Sequence, residues 1–600
     1  MCGLAFFTDP GRTFDSDKLS TVDAALYHRG PDSGGVVSEP GFSIVFRRLA
    51  IMDPRPGSDQ PMSTEDGRIT LAFNGEIYNF QELREELLAK GEVFRTTGDT
   101  EVVLNGYRQW GDAVFDRLEG MFAICLVDRH KGRLVAVRDP LGIKPLYVAR
   151  NGTFCGAANE VRALAPFFDL AVDTDALPEL LTFGWAAGRI SNYRGIERVP
   201  GGTAIEIDLQ TGAYRERRFC DPLDTLTPDA SATPEEAQEG VVSSIKAHLM
   251  SDVGYSLQLS GGIDSSLVAA IAAENAGTKL DSYAVQVSKS AFDEGEYRVP
   301  VVKRYGLNHL ESEFDGAIFA DTLPKAVQAM EGPVPHGGCV ALYHLCKQIG
   351  GTHKVVLTGE GADEMFGGYH RYEIWRKLWA QERVDRLWPS AFPVPDVWPL
   401  KGVHRLRNLD YAVYASLYEN VRAMARVFPD VGLYAPGARN AASARFNDFR
   451  DRMFAVDQTA YLESLLVRQD KMSMAHSVEA RVPFVHMPLL RKANALPREI
   501  RVPGGETKPV LKRLAERFLP NDLVNRRKVG LLLPYNEWAR DENGLGRYLE
   551  WITEPQGRLR TFADGKALDS AVERFRGGNG SNIPRILSLI NMEVWLRSVH

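Results

Sequence analysis

The sequence has no cysteine pair at CxxC spacing, no long apolar run, no excess of basic charge and no Gly-Lys-Ser/Thr ending to its glycine loops. Each absence excludes something. The six cysteines, Cys2, Cys125, Cys155, Cys220, Cys339 and Cys346, are scattered over 600 residues. That spacing argues against a zinc ribbon or a disulfide framework and for reduced thiols in a cytoplasmic protein. No run is apolar over the length needed to cross a bilayer, and the start lacks the basic region and apolar stretch of a signal peptide. A formal net charge of −7 offers no footprint for nucleic acid or an anionic membrane surface. The expected partners are therefore small molecules, with a homodimer left open.

What is present falls into two textures. Residues 1 to about 210 carry short apolar runs broken by Gly, Pro, Asn and Asp. FSIVFRRLAIMD, ITLAFNGEIYNF, MFAICLVD, RLVAVRD and TAIEIDL all read as strands, and their close spacing predicts stacked β-sheets. Between them YNFQELREELLAKG reads as a helix with Leu83, Leu87 and Leu88 on one face. DPLDTLTPDASATPEEAQEG is poor in large apolar residues and reads as a linker. Beyond it, the strand YSLQLS, the helix SLVAAIAAENAG and the strand SYAVQV form a βαβ unit, which predicts a parallel sheet. Another strand, KVVLTG, follows, and the rest is mostly helical.

Two loops in this second half carry chemistry. SGGIDSS (Ser260 to Ser266) lies between a strand and a helix. Gly261 and Gly262 let the backbone turn and expose N–H groups, the helix start adds partial positive charge, and the serines add hydroxyls. That is an anion cradle for phosphate or pyrophosphate. Asp264 inside such a cradle makes sense if a cation is shared, which implies Mg²⁺. TGEGADEMFGGY (Thr358 to Tyr369) follows the next strand and carries Glu360, Asp363 and Glu364. Loops at the carboxyl ends of parallel strands share one edge, so Asp264 and Asp363 are expected to meet around one metal. At the other end of the chain, MCGLAFF puts a thiol on the second residue. Removal of Met1 would place a nucleophile and a base, with an amine pKa of about 7.7–8.0, on the same residue.

Taken together, SGGIDSS, TGEGADEMFGGY, SVEARVPF (Ser477 to Phe484) and TKPVLKRLAERFLP (Thr507 to Pro520) resemble the synthetase domain of the glutamine-hydrolysing asparagine synthetase family. MCG, HRGPDSGG (His28 to Gly35), RRLAIMD (Arg47 to Asp53), FNGEIYN (Phe73 to Asn79), GDTEV (Gly98 to Val102) and RDPLGIKPLY (Arg138 to Tyr147) resemble class II glutamine amidotransferases. The resemblance covers nearly the whole chain. It implies a four-layer αββα N-terminal-nucleophile domain over residues 1–212, a linker over 213–234 and a parallel-sheet α/β ATP-pyrophosphatase-type domain with a helical C-terminal part over 235–600.

It further implies the site residues. Cys2 is the glutaminase nucleophile, with the Asn74 side chain and the Gly75 N–H as oxyanion donors. Arg48 holds the glutamine α-carboxylate, and Glu76 and Asp99 hold its α-ammonium. In the second half Leu259, Ser260, Gly261, Gly262, Asp264, Ser265 and Ser266 hold ATP and its pyrophosphate, with Val285, Thr358 and Gly359 near the nucleotide. Asp264 and Asp363 bind Mg²⁺. Lys508 stabilises phosphate or adenylate charge, and Glu360 assists when ammonia adds. ATP and L-glutamine are the implied substrates, with L-aspartate the acceptor that becomes L-asparagine. A dry passage for ammonia between the halves is implied as well. Two departures leave another carboxylic acid, or another amine donor, open. Gly337, Gly338 and Ala341 stand where the family has Ser and Pro, and His486 replaces the Asp of PFLD. Intact Cys2, Asp264, Asp363 and Lys508 argue against a silent binding protein, and Cys2 argues against the β-lactam synthetase branch.

Overall fold

The computed structural model describes residues 2–287, 294–380, 421–431, 437–526, 533–578 and 583–599, with backbone alone for 421–423. In chain order the first part supplies β1 (Gly3–Thr8), β2 (Ser33–Glu39), β3 (Phe42–Arg48), β4 (Met62–Ser63), β5 (Ile69–Ile77) and β6 (Gly120–Asp128). It continues with β7 (Arg133–Arg138), β8 (Tyr147–Asn151), β9 (Phe154–Ala158), β10 (Ile196–Arg198), β11 (Thr203–Asp208) and β12 (Tyr214–Arg218). They form two six-stranded sheets, ordered β10-β8-β9-β1-β3-β2 and β12-β11-β7-β6-β5-β4. β12 pairs antiparallel with β11, so the second sheet runs on past residue 212.

Alternation along the strands explains the layers. Leu4 and Phe6 of β1 join Ala72, Ala123, Cys125 and Leu134 in the core between the sheets. Ala5 and Phe7 point the other way and pack under α1 (Ser16–Leu26) through Leu19, Val22 and Leu26. On the far side, Phe73, Phe122 and Ile124 pack against α2 (Phe80–Ala89) and α3 (Asp99–Trp110). The result is helix, sheet, sheet, helix, the four layers implied above. Leu88 is the exception to the expected apolar face of α2. Leu83 and Leu87 are buried, but Leu88 is 50% exposed, because a five-residue step turns about 140° around the helix away from Leu83.

The second part is built on a five-stranded sheet, β15-β14-β13-β16-β17, parallel throughout. Its strands are β13 (Ser256–Gln258), β14 (Asp281–Val287), β15 (Asn308–Phe314), β16 (Val355–Leu357) and β17 (Glu479–Arg481). α4 (Leu177–Phe183) belongs by sequence to the first part but packs into the helical core of the second through Leu177, Leu180 and Leu181. α5 (Pro234–Ala247) opens the second part with a capping box between Thr233 and Glu236. α6 (Ile263–Asn275) follows β13, and its buried Leu267, Val268 and Ile271 cover the sheet. Tyr78, Met121 and Ile143 of the first part join that same core, so the two parts share buried surface. Among the described residues no helix is long and apolar enough to cross a membrane.

Candidate active sites

Cys2 precedes β1 and is buried in the core between the sheets; Met1 lies outside the described residues. The Cys2 N–H donates to Asn74 Oδ1 at 2.8 Å, and its carbonyl accepts from Arg29 Nε at 3.0 Å. Asn74 Nδ2 donates to Asn159 Oδ1 at 3.0 Å, and the same oxygen accepts from the Leu4 N–H at 2.8 Å. Asn159 therefore fixes which way the Asn74 amide points, and only one of its two N–H groups is used by this contact. Burial pushes the Cys2 thiol up, opposed by the Leu49 backbone and the Arg48 charge. Gly75 follows Asn74 on β5, opposite Phe122 of β6. A Cβ on residue 75 would lie 2.0 Å from the Met121 carbonyl oxygen, so only glycine fits there.

Arg48 ends β3, beside this thiol. Its guanidinium is buried and fixed by Asp59 at 2.8 Å and by the carbonyls of Asp53 at 2.6 Å and Met52 at 3.2 Å. Asp99 starts α3 and accepts from the Ile77 N–H at 3.0 Å. Burial raises its pKa to about 6. Burial and the nearby Glu479 carboxylate also raise Glu76, well above the usual range. Glu76 faces Arg481 of β17 at 3.3 Å, and Arg481 binds Glu479 at 2.6 Å. Burial works against the charge on Glu479, yet the Arg481 and Lys144 cations help to hold it at about 2. The SVEARVPF motif thus reaches from the second sheet into the first site.

In the second part, β13 and β16 are parallel neighbours and each ends in one of the two glycine loops. Ser260 Oγ and Ser265 Oγ lie 2.9 Å apart, and the Gly262 N–H donates to Ser260 Oγ at 3.2 Å. Gly359 of the other loop allows the contact between them, since a Cβ there would sit 2.6 Å from the Ser265 nitrogen. Lys508 precedes Pro509, the first residue of a short helix (Pro509–Ala515), and has φ 51°. A lysine held in that left-handed region is strained, a cost seen most often where a site requires it. Its Nζ lies 2.6 Å from both Asp264 oxygens and 2.7 Å from Asp363. Burial opposes the ammonium, but Asp264 and Asp363 outweigh it and raise its pKa.

Asp264 and Asp363 therefore converge on one lysine. Two convergent carboxylates beside a phosphate cradle fit Mg²⁺, which takes one or two carboxylates and completes its shell with phosphate oxygens and water. These groups line a cavity of about 430 Å³, together with Leu259, Val285, Thr358 and Glu360. Gly261 and Ser266 are not in its wall. The Gly261 carbonyl accepts from Arg526 at 3.1 Å, and Ser266 is fully buried at the start of α6.

The motifs did not point to the groups around Glu360. α7 (Gly338–Ile349), α8 (Ala362–Phe366) and α9 (Leu462–Met474) surround the cavity. Arg468 of α9 pairs with Glu360 and donates to His336 Nε2 at 2.8 Å. Burial, reinforced by that cation, drives His336 to about 3 and keeps it neutral. Further along α9, Asp470 and Lys471 face the first part. Asp470 binds Arg29 at 2.9 Å, and Lys471 binds Glu160 at 3.0 Å and Glu331 at 2.5 Å. One helix therefore touches this cavity and the arginine that holds the Cys2 carbonyl. His486, the departure from PFLD, contacts Ser244 Oγ at 3.2 Å, and burial and Arg491 push it down to about 4.

The family profile of asparagine synthase matches residues 236–597, and that of the glutamine amidotransferase domain matches residues 1–220. "Asparagine synthetase [glutamine-hydrolyzing] 1" of Bacillus subtilis strain 168 is 30% identical over 576 residues, 92% of this chain and 89% of that protein. "Asparagine synthetase [glutamine-hydrolyzing]" of Asparagus officinalis is 31% identical over 441 residues, 67% of each chain. Among solved structures, the glutamine phosphoribosylpyrophosphate amidotransferase of B. subtilis matches with TM-score 0.27 and 15% identity, over 52% of this chain and 65% of that one.

Proposed function

This chain belongs to the asparagine synthase family, as a glutamine-dependent ligase that uses ATP, and we propose that it makes a carboxamide through an acyl-adenylate. The Cys2 sulfur attacks the glutamine carboxamide carbon, and the second Asn74 N–H and the Gly75 N–H receive the oxyanion. The C–N bond breaks to release ammonia carrying the thiol proton, and water hydrolyses the glutamyl thioester to glutamate and free thiol. The first reason is geometric: the amide of Asn74 is fixed beside Cys2 before substrate arrives. Donors that need no reorganisation contribute most, and loss of one typically costs about 10²–10³ in rate. Arg48 takes the α-carboxylate, and Asp99 with Glu76 the α-ammonium. The base is the Cys2 amine once Met1 is removed.

In the second site the acceptor carboxylate oxygen attacks the α-phosphorus of ATP and the bond to pyrophosphate breaks. Ammonia then attacks the acyl carbon, the bond to AMP breaks, and the added nitrogen loses a proton to Glu360. The observation that carries this reading is the convergence of Asp264, Asp363 and Lys508 beside the Ser260–Ser265 loop. Asp264 and Asp363 would hold Mg²⁺, which supplies charge neutralisation for the phosphates. Lys508 is already oriented by the same carboxylates and would move its ammonium to phosphate oxygens. The buried charges of α9 lie between the two sites, where a passage for ammonia has to run.

L-Aspartate is the acceptor to which the names of the relatives point. A second reading, another carboxylic acid, is favoured by the first turn of α7, Gly338, Cys339, Val340 and Ala341, which brings no hydroxyl to the cavity. Product analysis tests the shared chemistry. ATP, ammonium and the acceptor should give AMP and pyrophosphate in equal amounts; ADP and inorganic phosphate would overturn the acyl-adenylate.

A further inference from the structure

A second chamber of about 190 Å³ adjoins the nucleotide cavity and shares His336 and Tyr461 with it. Phe183 and Trp185 line it from the first part of the chain, and Pro335 and Ala460 from the second. The rings are held in place. The Arg198 guanidinium lies 4.1 Å over Trp185, and that of Arg439 lies 4.0 Å over Phe183. Arg439 also lines the chamber and pairs at 2.5 Å with Glu179, and both are fully buried. A dry cavity of about 150 Å³ suffices for benzene, so this one has room for a ring and a short linker.

An acceptor that is to be adenylated needs its carboxylate at the nucleotide and its body next door. An α-amino acid also needs an anion for its ammonium. Among the described residues, every acid lining the nucleotide cavity already faces a cation. Asp264 and Asp363 face Lys508, Glu294 faces Arg526 at 2.5 Å, and Glu360 faces Arg468. The chamber's own described wall contains no Asp or Glu. The α7 face toward the cavity is Gly338, Ala341, Leu342 and Leu345. A buried ammonium without a partner is strongly disfavoured, whereas an apolar ring gains from leaving water.

We propose that this chamber receives the body of the acceptor, and that the acceptor is a carboxylic acid with a flat apolar body and no α-ammonium group. The assignment rests on the amide-forming reading above and names its substrate class. It makes Trp185, Phe183 and Tyr461 specificity-determining residues, with His336 and Arg468 at the junction where the carboxylate enters.

The test uses the full chain with ATP, magnesium and ammonium and reads pyrophosphate release. The acids are 3-phenylpropanoate, indole-3-acetate and L-aspartate, against a blank without acid. The aryl acids should drive release and aspartate should stay at the blank. Trp185→Ala should raise KM for the aryl acids by about tenfold or more, and Ala460→Phe should abolish acid-dependent release. Glutamine hydrolysis reports folding of both variants, and Trp185→Ala carries the test if Ala460→Phe fails to fold. Release driven by aspartate and not by aryl acids would overturn the chamber's role and leave the amide-forming reading standing. Release by aryl acids that neither substitution changes would also overturn it. No release with any of the three acids, in a chain that hydrolyses glutamine, would also overturn the chamber's role, whereas acid-dependent formation of ADP and inorganic phosphate in place of pyrophosphate would bring down the amide-forming reading itself.

Discussion

At Asp99, burial and function pull in opposite directions. Its carboxyl is 4% exposed and its pKa rises to about 6, above the usual aspartate value. A carboxyl raised in the folded state destabilises the fold when ionised, above about pH 6, and that penalty is relieved as the pH falls. Its proposed partner, the glutamine α-ammonium, needs the ionised form. Glutaminase kcat/KM should therefore drop as pH falls through about 6. Asp99→Asn should lower it by about 10- to 100-fold at pH 7.5 and remove that limb of the profile. The same variant should melt at a higher temperature at pH 7.5, a gain that a merely structural Asp99 would not give. Kinetic profiles and thermal melts check both.

Cys2, Asn74, Gly75, Asp264, Asp363 and Lys508 were each readable because short motifs surround them. Asn159 and Arg468 lie outside the motifs, and Arg29, though inside HRGPDSGG, has no local signal for its partners. Their partners lie up to 441 residues away in sequence, and no local pattern signals a pairing of that span.

At the scale of elements, period and turn chemistry did most of the work. The apolar runs of β5 and β6 read as strands and pair as neighbours, and the parallel pairing of β13 and β14 follows from the βαβ pattern. α2 shows the limit. Three leucines in ten residues suggest one stripe, but only Leu83 and Leu87 are a helical turn apart. Leu87→Ala should therefore destabilise the chain by about 2–5 kcal/mol, while Leu88→Ala should stay within about 0.5 kcal/mol of wild type. Denaturant unfolding followed by a signal from the first part separates the two; equal losses would contradict the placement. β12 was missed because TGAYRERRF is largely polar, and its outward residues Arg215, Arg217 and Arg218 mask a strand that pairs on one edge only.

For the whole molecule, the two sites belong to one buried framework. Tyr78 and Met121 share a core with Leu257 and Leu357 of the second sheet, and Arg29, Glu160, Asp470 and Lys471 form a charged cluster between the parts. Breaking one member of such a cluster leaves its partner buried without a counter-charge, at a typical loss of about 3–5 kcal/mol. That arrangement suits two reactions that exchange an uncharged intermediate, and it was invisible in sequence because each half carries its own complete set of motifs. The division of labour proposed between Cys2 and the Lys508 cluster is open to direct test. The most direct measurement is pyrophosphate release by Cys2→Ala with the functional acceptor acid, supplied with glutamine or with ammonium. The prediction is a loss of at least about 10³-fold with glutamine and release close to wild type with ammonium. Loss of both together, or continued use of glutamine, would contradict it.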